Sequence, residues 1–289
     1  MTSIGERALV AWPLLVAETL IFGTTAFALL LAPDTQFEEV TGALAPLWRG
    51  LASIAVVFSP LALLLGTANM GDVSLRAAFA LLPQVIRETH FGRVWSWSFP
   101  LTVALLAITW TRGSGPLKTA ALGLAACALL LLGSFSSHAI DRGRIAVIVY
   151  FVHQVAASLW IGAILGLWLG ARRGKLGSEW IRRTAPRVSG VAGWTVTILI
   201  LSGLYTAYYS LGADSHRLID SAYGRTLVDK VCAAMLVLLI GAYNRYWVMP
   251  AVSQASAQEN LLGNVGVESL LLIGVLGLAA LLANTPPAH

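Results

Sequence analysis

Charge is what this sequence has least of. Asp, Glu, Lys and Arg make up 11% of its 289 residues, against about 25% in a soluble globular protein. Hydrophobic residues reach 57%, and the mean hydropathy is +0.76. A chain so poor in charge and so rich in long apolar runs is no ordinary soluble domain, and belongs in a bilayer. Cysteine is also scarce. Cys127 and Cys232 both fall inside apolar runs, so the sequence offers neither a disulfide framework nor a CxxC metal knuckle. No nucleotide-binding motif occurs, so any transport has to follow a gradient or couple to another ion. The net charge of +5 sits mostly in loops. It speaks to topology and gives no sign of nucleic-acid binding.

What the sequence does have is apolar length. A helix needs about 20 apolar residues to cross the hydrocarbon. By that measure eight spans lie at roughly 8–32, 45–67, 92–110, 117–139, 145–170, 188–211, 226–248 and 264–284. The expected fold is all-α, a polytopic membrane bundle of eight transmembrane helices. The apolar run after MTSIGER is too long for the core of a cleaved signal, and reads as a retained first helix. The connection RRGKLGSEWIRRTAPR, 172–187, carries six basic residues and one acid. The positive-inside rule assigns it to the cytoplasm. Both termini, and the loops after spans 2, 4 and 6, then face the extracytoplasmic side.

Only five histidines occur, and their placement is uneven. His138 ends span 4, His153 stands near the start of span 5, and His90 just precedes span 3. His216 follows span 6, and His289 is the last residue. All five fall on or near the outer side.

The stretch ETHFGR, 88–93, returns as DSAYGR, 220–225, an offset of 132 residues. Each copy stands just before a span, the third and the seventh. Four crossings separate them, so both enter the membrane in the same direction. This pattern predicts a parallel duplication of two four-helix halves, approximately 1–140 and 141–289. His90 aligns with Ala222 and is not part of the shared pattern. In the loop before the first copy, Leu75, Phe79, Leu82 and Ile86 recur at helical spacing. They predict a short helix lying on the outer surface, bent at Pro83.

Around the turn between spans 4 and 5 reads GSFSSHAIDRGRIAVIVYFVHQVAASLWIG, 133–162. Gly162, Gly166 and Gly170 form a small-residue stripe that lets another helix approach closely. At about 100° per residue, His153 points away from Gly162, and Trp160 returns to the face of His153. One side of span 5 packs; the other presents a histidine above a tryptophan. His138, Ser134 and Ser137 stand across the short turn. An ideal hairpin leaves His138 and His153 about 10 Å apart along the axis. They share one ligand through a stagger of the helices, or act as successive stations on a path; the spacing leaves both open.

Imidazole suits copper and zinc, whereas thioether and thiolate select Cu(I). The metal candidates are therefore His138 and His153, with His90, His216 and the softer Met70 of NMGD as weaker ones. Glu18, a carboxylate inside span 1, is expensive there and functional by default. Proton carrier, metal ligand and helix-to-helix hydrogen bonder are its three roles, the last being the simplest. Glu18 and Trp160 make up the intramembrane polar path. Glu268 and Arg245, near the cytoplasmic ends of spans 8 and 7, read as an ion pair or as snorkelling side chains.

These residues carry a resemblance. SSHAI followed by VHQVAASLWIGAI resembles the histidine and Leu-Trp-x-Gly signature of the CopD/PcoD copper-resistance membrane protein family. AYGRTLVDKVCAAMLVLLIGAYNR resembles that family's Tyr-Gly-Arg entry and terminal Asn-Arg. NVGVESLLLIGVLGLAALLANTPP is similar to its last helix, with Glu268 at the expected acidic position. The similarity covers essentially the whole chain and is strongest from 133 to 285. Ala163 departs from it, replacing a second small glycine after the tryptophan. So does Asp229, which precedes a lysine where the family is usually apolar. The resemblance implies an inner-membrane protein that handles copper ions, commonly with a periplasmic copper-binding partner of the CopC type. It carries over to His138 and His153, implies no catalysis, and does not set the direction of copper movement. The residues alone also admit a b-type haem electron carrier, since histidines on facing helices can be axial ligands, and an assembly factor that holds copper without moving it.

The topology is directly testable. A reporter fused after His289 is expected to read extracytoplasmic, and one inserted near Gly177 cytoplasmic; the reverse pattern undoes the gathering of histidines on the outer side.

Overall fold

In hydrocarbon a backbone has no water to bond to, so each crossing segment must satisfy its own N–H and C=O groups, and an apolar run becomes a helix. A computed structural model describes residues 3–174, 176–212 and 216–287; His289 lies outside the described residues. Eight helices are long and apolar enough to cross a membrane. They are α1 (Ile4–Leu30), α2 (Phe37–Gly71), α4 (His90–Trp110), α5 (Pro116–Phe135), α6 (Arg144–Arg173), α7 (Ser178–Leu211), α9 (Ala222–Tyr243) and α10 (Ala255–Asn284). Two shorter helices, α3 (Leu75–Glu88) and α8 (Arg217–Asp220), lead into α4 and α9. After Tyr243, α9 runs on as a π-helical turn, Asn244–Val248, and a 3-10 turn, Met249–Ala251. No strand occurs among the described residues. The all-α membrane bundle expected from the sequence is the fold observed.

The fourth span is shorter than expected. α5 stops at Phe135, so His138 does not end a span but sits in the turn after it. Serine hydroxyls compete with the helical ladder there. Ser137 Oγ donates to the Ser134 carbonyl at 2.7 Å and accepts from the Ala139 amide at 3.3 Å. Gly143, at φ +98°, then turns the chain into α6 in a conformation that favours glycine. The amphipathic surface helix is present as α3. Leu75 and Phe79 are exposed on it, while Ala78 is buried. Pro83 lies within that helix.

The two copies of the repeated motif make the same turn. Thr89 caps α4 by accepting from the Gly92 amide at 2.9 Å, and Ser221 caps α9 by accepting from the Gly224 amide at 2.9 Å. Each hydroxyl also donates back to the carbonyl four residues earlier, Val85 or Arg217. A Cβ on Gly92 would lie 2.0 Å from the Val85 oxygen, and one on Gly224 2.2 Å from the Arg217 oxygen. In both copies the glycine lets a crossing helix start hard against the short helix before it.

The centre of the bundle is the contact of α1 with α6. A Cβ on Gly23 would stand 1.9 Å from the Ser158 carbonyl oxygen, and one on Gly162 2.0 Å from the Gly23 carbonyl carbon. The two backbones touch. Gly166 receives the ring of Phe27, and Gly170 the indole of Trp180 on α7. The stripe read from the sequence is thus a packing stripe, divided between two neighbours. The segments that meet, Thr19-Leu-Ile-Phe-Gly23 and Ser158-Leu-Trp-Ile-Gly162, match each other in hydroxyl, leucine and glycine. Around this pair each half forms a ring of four. In the first, α1 packs on α2, α2 on α4, α4 on α5, and α5 on α1. In the second, α6 packs on α7 and on α10, and α10 on α9, but α7 and α9 scarcely touch. The second ring is open. We put these parallels forward as support for a duplicated four-helix unit.

Gly162→Ala is expected to force α1 from α6 and to lower stability by about 1–3 kcal/mol. Gly42→Ala, where nothing lies within 4 Å of the new Cβ, should be neutral. Thermal unfolding in detergent reads the difference.

Candidate functional site

The loops sort the polar groups onto two faces. On one, Arg7 Nη2 donates to the Asn284 carbonyl at 3.4 Å, and His90 Nε2 donates to the Phe135 carbonyl at 2.9 Å. On the same face, Arg142 Nη1 and the Tyr223 hydroxyl both reach Ser210 Oγ at 2.9 Å. These bonds tie the turn after α5 to the end of α7 and the start of α9. The other face carries Arg172 with Glu259 at 3.2 Å, and Glu179 held by Arg182 and Arg183 at 2.8 and 2.6 Å. His90, His138, His216 and the end of α2 with Met70 all belong to the first, histidine face.

The residues picked out by sequence are not gathered into one cluster. His138 is exposed in its turn, and Met70 is 50% exposed. His90 is committed to α5, and His216 is exposed at the start of α8. Among the described residues no three His, Cys, Asp or Glu side chains are grouped so as to hold a metal ion. Cys127 is half-buried and Cys232 exposed on the outside of α9, so only the first packs within the bundle.

His153 is the histidine that enters the membrane. It stands nine residues beyond Arg144 on α6, about 13 Å down the helix. Its Nδ1 lies 2.8 Å from Ser202 Oγ on α7. That hydroxyl spends its own proton on the Ile198 carbonyl, at 2.6 Å. The serine oxygen therefore accepts, Nδ1 donates, and the lone pair is left on Nε2. Nε2 has no hydrogen-bond partner among the described residues. Gly203 on α7 lies beside the ring, where a Cβ would stand 3.7 Å from Cε1, an ordinary contact distance. The helix-to-helix hydrogen bond that is the bland role for a membrane histidine is present, and it frees the other nitrogen.

Several polar side chains surround this position that the sequence reading did not connect to it. Lys230 on α9 acts electrostatically on His153. One turn toward the histidine face, Tyr150 bonds to Gln154 and lies within electrostatic reach of Glu18 and Tyr223. Glu18 itself accepts no hydrogen bond among the described residues, which corrects the expectation of a helix-to-helix bond. Tyr150, within electrostatic reach of it, bonds to Gln154. The signal for this in the sequence is Lys230, an ionisable residue eight positions inside α9 and so a functional candidate by default.

Two turns below His153, on the same face of α6, Trp160 lines a cavity of about 400 Å³. This cavity fills the gap between α7 and α9 and has α6 and α10 as its floor. The sequence placed Trp160 beneath His153, and it is buried there. On the far wall Glu268 is 3% exposed and accepts from Asn244 Nδ2. Asn264 Nδ2 donates to Asn244 Oδ1 at 2.7 Å. Arg245 turns away and donates to the Ser189 carbonyl and hydroxyl at 3.0 and 3.2 Å. Of the two readings for Glu268 and Arg245, the ion pair is not formed among the described residues. The π-helical turn that begins at Asn244 aims consecutive side chains at different neighbours, which helical spacing does not predict.

Comparison with known proteins follows this geometry. Residues 7–144 match the family described as Copper resistance protein D-like, N-terminal domain, and residues 182–282 match Copper resistance protein D. The chain is 30% identical over 182 residues to the copper transport protein CutJ of Bacillus subtilis (strain 168), covering 56% of this chain and 32% of that protein. It is 22% identical over 240 residues to the inner membrane protein YebZ of Escherichia coli (strain K12), covering 81% of each. The chain thus spans about a third of the length of the first relative. No solved structure matches.

Proposed function

The chain belongs to the copper resistance protein D family, and from that premise we propose that it moves copper ions across the membrane through the open side of its second half, between α7 and α9. The observation that carries this reading is the tautomer of His153. A neutral imidazole whose Nδ1–H is held by Ser202 offers Nε2 as a donor toward the cleft, and imidazole is a good copper ligand. A hydroxyl that accepts from the far ring nitrogen in this way orients a ligating imidazole and raises its basicity.

His138 at the exposed turn and His153 inside the membrane act as successive stations rather than as one site. His90, His216 and Met70 ring the same face as capture groups. Trp160 closes the floor below His153. Lys230 works against a cation resting at His153, so copper passes there without being trapped. Tight binding at a single station defeats conduction. The basic connection 172–187 puts the histidine face outside, and the name of the YebZ relative fits an inner membrane. A periplasmic donor of the CopC type would hand copper to that face. The direction of movement follows the imposed gradient.

Copper uptake into liposomes, with isotopic or dye readout, tests the reading. His153→Ala is expected to abolish flux. Ser202→Ala, which releases the ring, should lower it about 10-fold, while His216→Ala should change it little. Unchanged flux in a His138→Ala, His153→Ala double variant sends copper elsewhere. A Soret band in the purified protein assigns the histidines to haem instead.

A further inference from the structure

We propose that Glu268 is a proton-exchanging carboxyl at the bottom of the cleft, through which copper movement is coupled to proton movement; this rests on the transport reading above. The residue is 3% exposed, thirteen residues into the thirty-residue α10 and so near mid-helix. One oxygen accepts from Asn244, whose amide is oriented by Asn264. The other oxygen has no hydrogen-bond donor among the described residues, and the missing side chain of Gly241 leaves space beside it. A Cβ there would approach Oε2 only to 3.7 Å. The described ion pairs do not include Glu268. Two other titratable side chains line the cavity. Arg245 is engaged with Ser189, and Tyr246 is 66% exposed. α6, α7 and α10 contribute no further charged or titratable group to the wall, and α1, packed on the other side of α10, contributes none either.

A bare carboxylate in such a place is unfavourable, because one neutral amide does not replace water or a counter-charge. The carboxyl must hold a cation, and the donor set selects which. Carboxylate and amide oxygens suit hard ions, not Cu(I). A metal ion such as calcium needs six or more oxygens, but Asn244 Oδ1 is already taken by Asn264, and among the described residues no group of three His, Cys, Asp or Glu forms here. A proton needs one oxygen. Bound to Oε2, it leaves Oε1 free to accept from Asn244; released, it passes to water in the cavity, with no change of oxidation state. The π-helical turn at Asn244–Val248 is what turns Asn244 to Glu268 and Arg245 away from it. An imidazole therefore stands above Trp160 on α6, and a lone carboxyl lines the cavity below it.

The full chain in liposomes is treated with dicyclohexylcarbodiimide at neutral pH, which traps a protonated intramembrane carboxyl as a stable adduct, and the modified peptide is mapped by mass spectrometry. Glu268 is expected to be labelled, and labelling should fall as the pH is raised. In parallel, copper salt is added outside vesicles that enclose a pH-sensitive dye. The wild type should show a pH change that accompanies copper entry. Glu268→Gln keeps the acceptor for Asn244 and should fold, yet should lose that pH change; Glu268→Asp should retain part of it. An unlabelled Glu268, or a Glu268→Gln variant whose copper entry still carries the pH change, overturns the proton site while leaving copper transport standing. Absence of copper entry in the wild type overturns the transport reading and the coupling with it, whatever the labelling shows.

Discussion

The arrangement depends on the contact of Gly23 with Gly162. In a bilayer, lipid tails are as apolar as leucine, so helices gain little by burying apolar side chains against one another. Close van der Waals approach is what remains. Glycines on both helices at the crossing let α1 and α6 meet backbone to backbone, with Gly166 and Phe27 continuing the seam. Every other crossing helix except α4 and α9 packs against this pair, α2, α5 and α10 against both members and α7 against α6. The seam also fixes the rotation of α6. With Gly162 turned to α1, His153 and Trp160 have to face the opposite way, His153 toward Ser202 on α7 and Trp160 toward the cavity.

The parallels put forward as support for a duplicated four-helix unit stop at the polar side of the bundle. The capped entry turns at Thr89 and Ser221 are alike down to the hydrogen bonds, and TLIFG mirrors SLWIG across the central contact. Yet Leu14 stands where His153 stands in the other half, and α2 packs on α4 where α7 leaves α9. The closed ring has the character of a scaffold. The open one holds the polar groups: Ser202 on α7 and Lys230 on α9 near His153, and Asn244 and Glu268 on the wall of the cavity below Trp160. An opening of this kind gives an amide and a carboxyl inside a membrane domain a cavity to face instead of lipid.

Much was legible without coordinates. Eight apolar runs of sufficient length must be helices, because the bilayer permits no other open-chain solution. The opposition of His153 to Gly162 follows from 100° per residue, and the turn motif at 88–93 and 220–225 announces its own cap. The copper-resistance resemblance rested on residues whose order survives in the helices that carry them. The end of α5 was misjudged because Ser134 and Ser137 bond locally, which hydropathy does not register.

Composition and periodicity by themselves determined the membrane fold, the number of crossings and which face of α6 packs, since each depends on local spacing and on the solvent. Tertiary structure decided the partners. That Ser202 sets the tautomer of His153, that Lys230 lies beside it, and that Glu268 meets Asn244 rather than Arg245 depend on how α6, α7, α9 and α10 stand relative to one another. The last depends further on a π-helical turn that shifts the helical register by one residue. A side chain's direction on its own helix is a local property. The group that it meets is a property of the packing, and in this protein that packing is set by two glycines, Gly23 and Gly162, 139 residues apart.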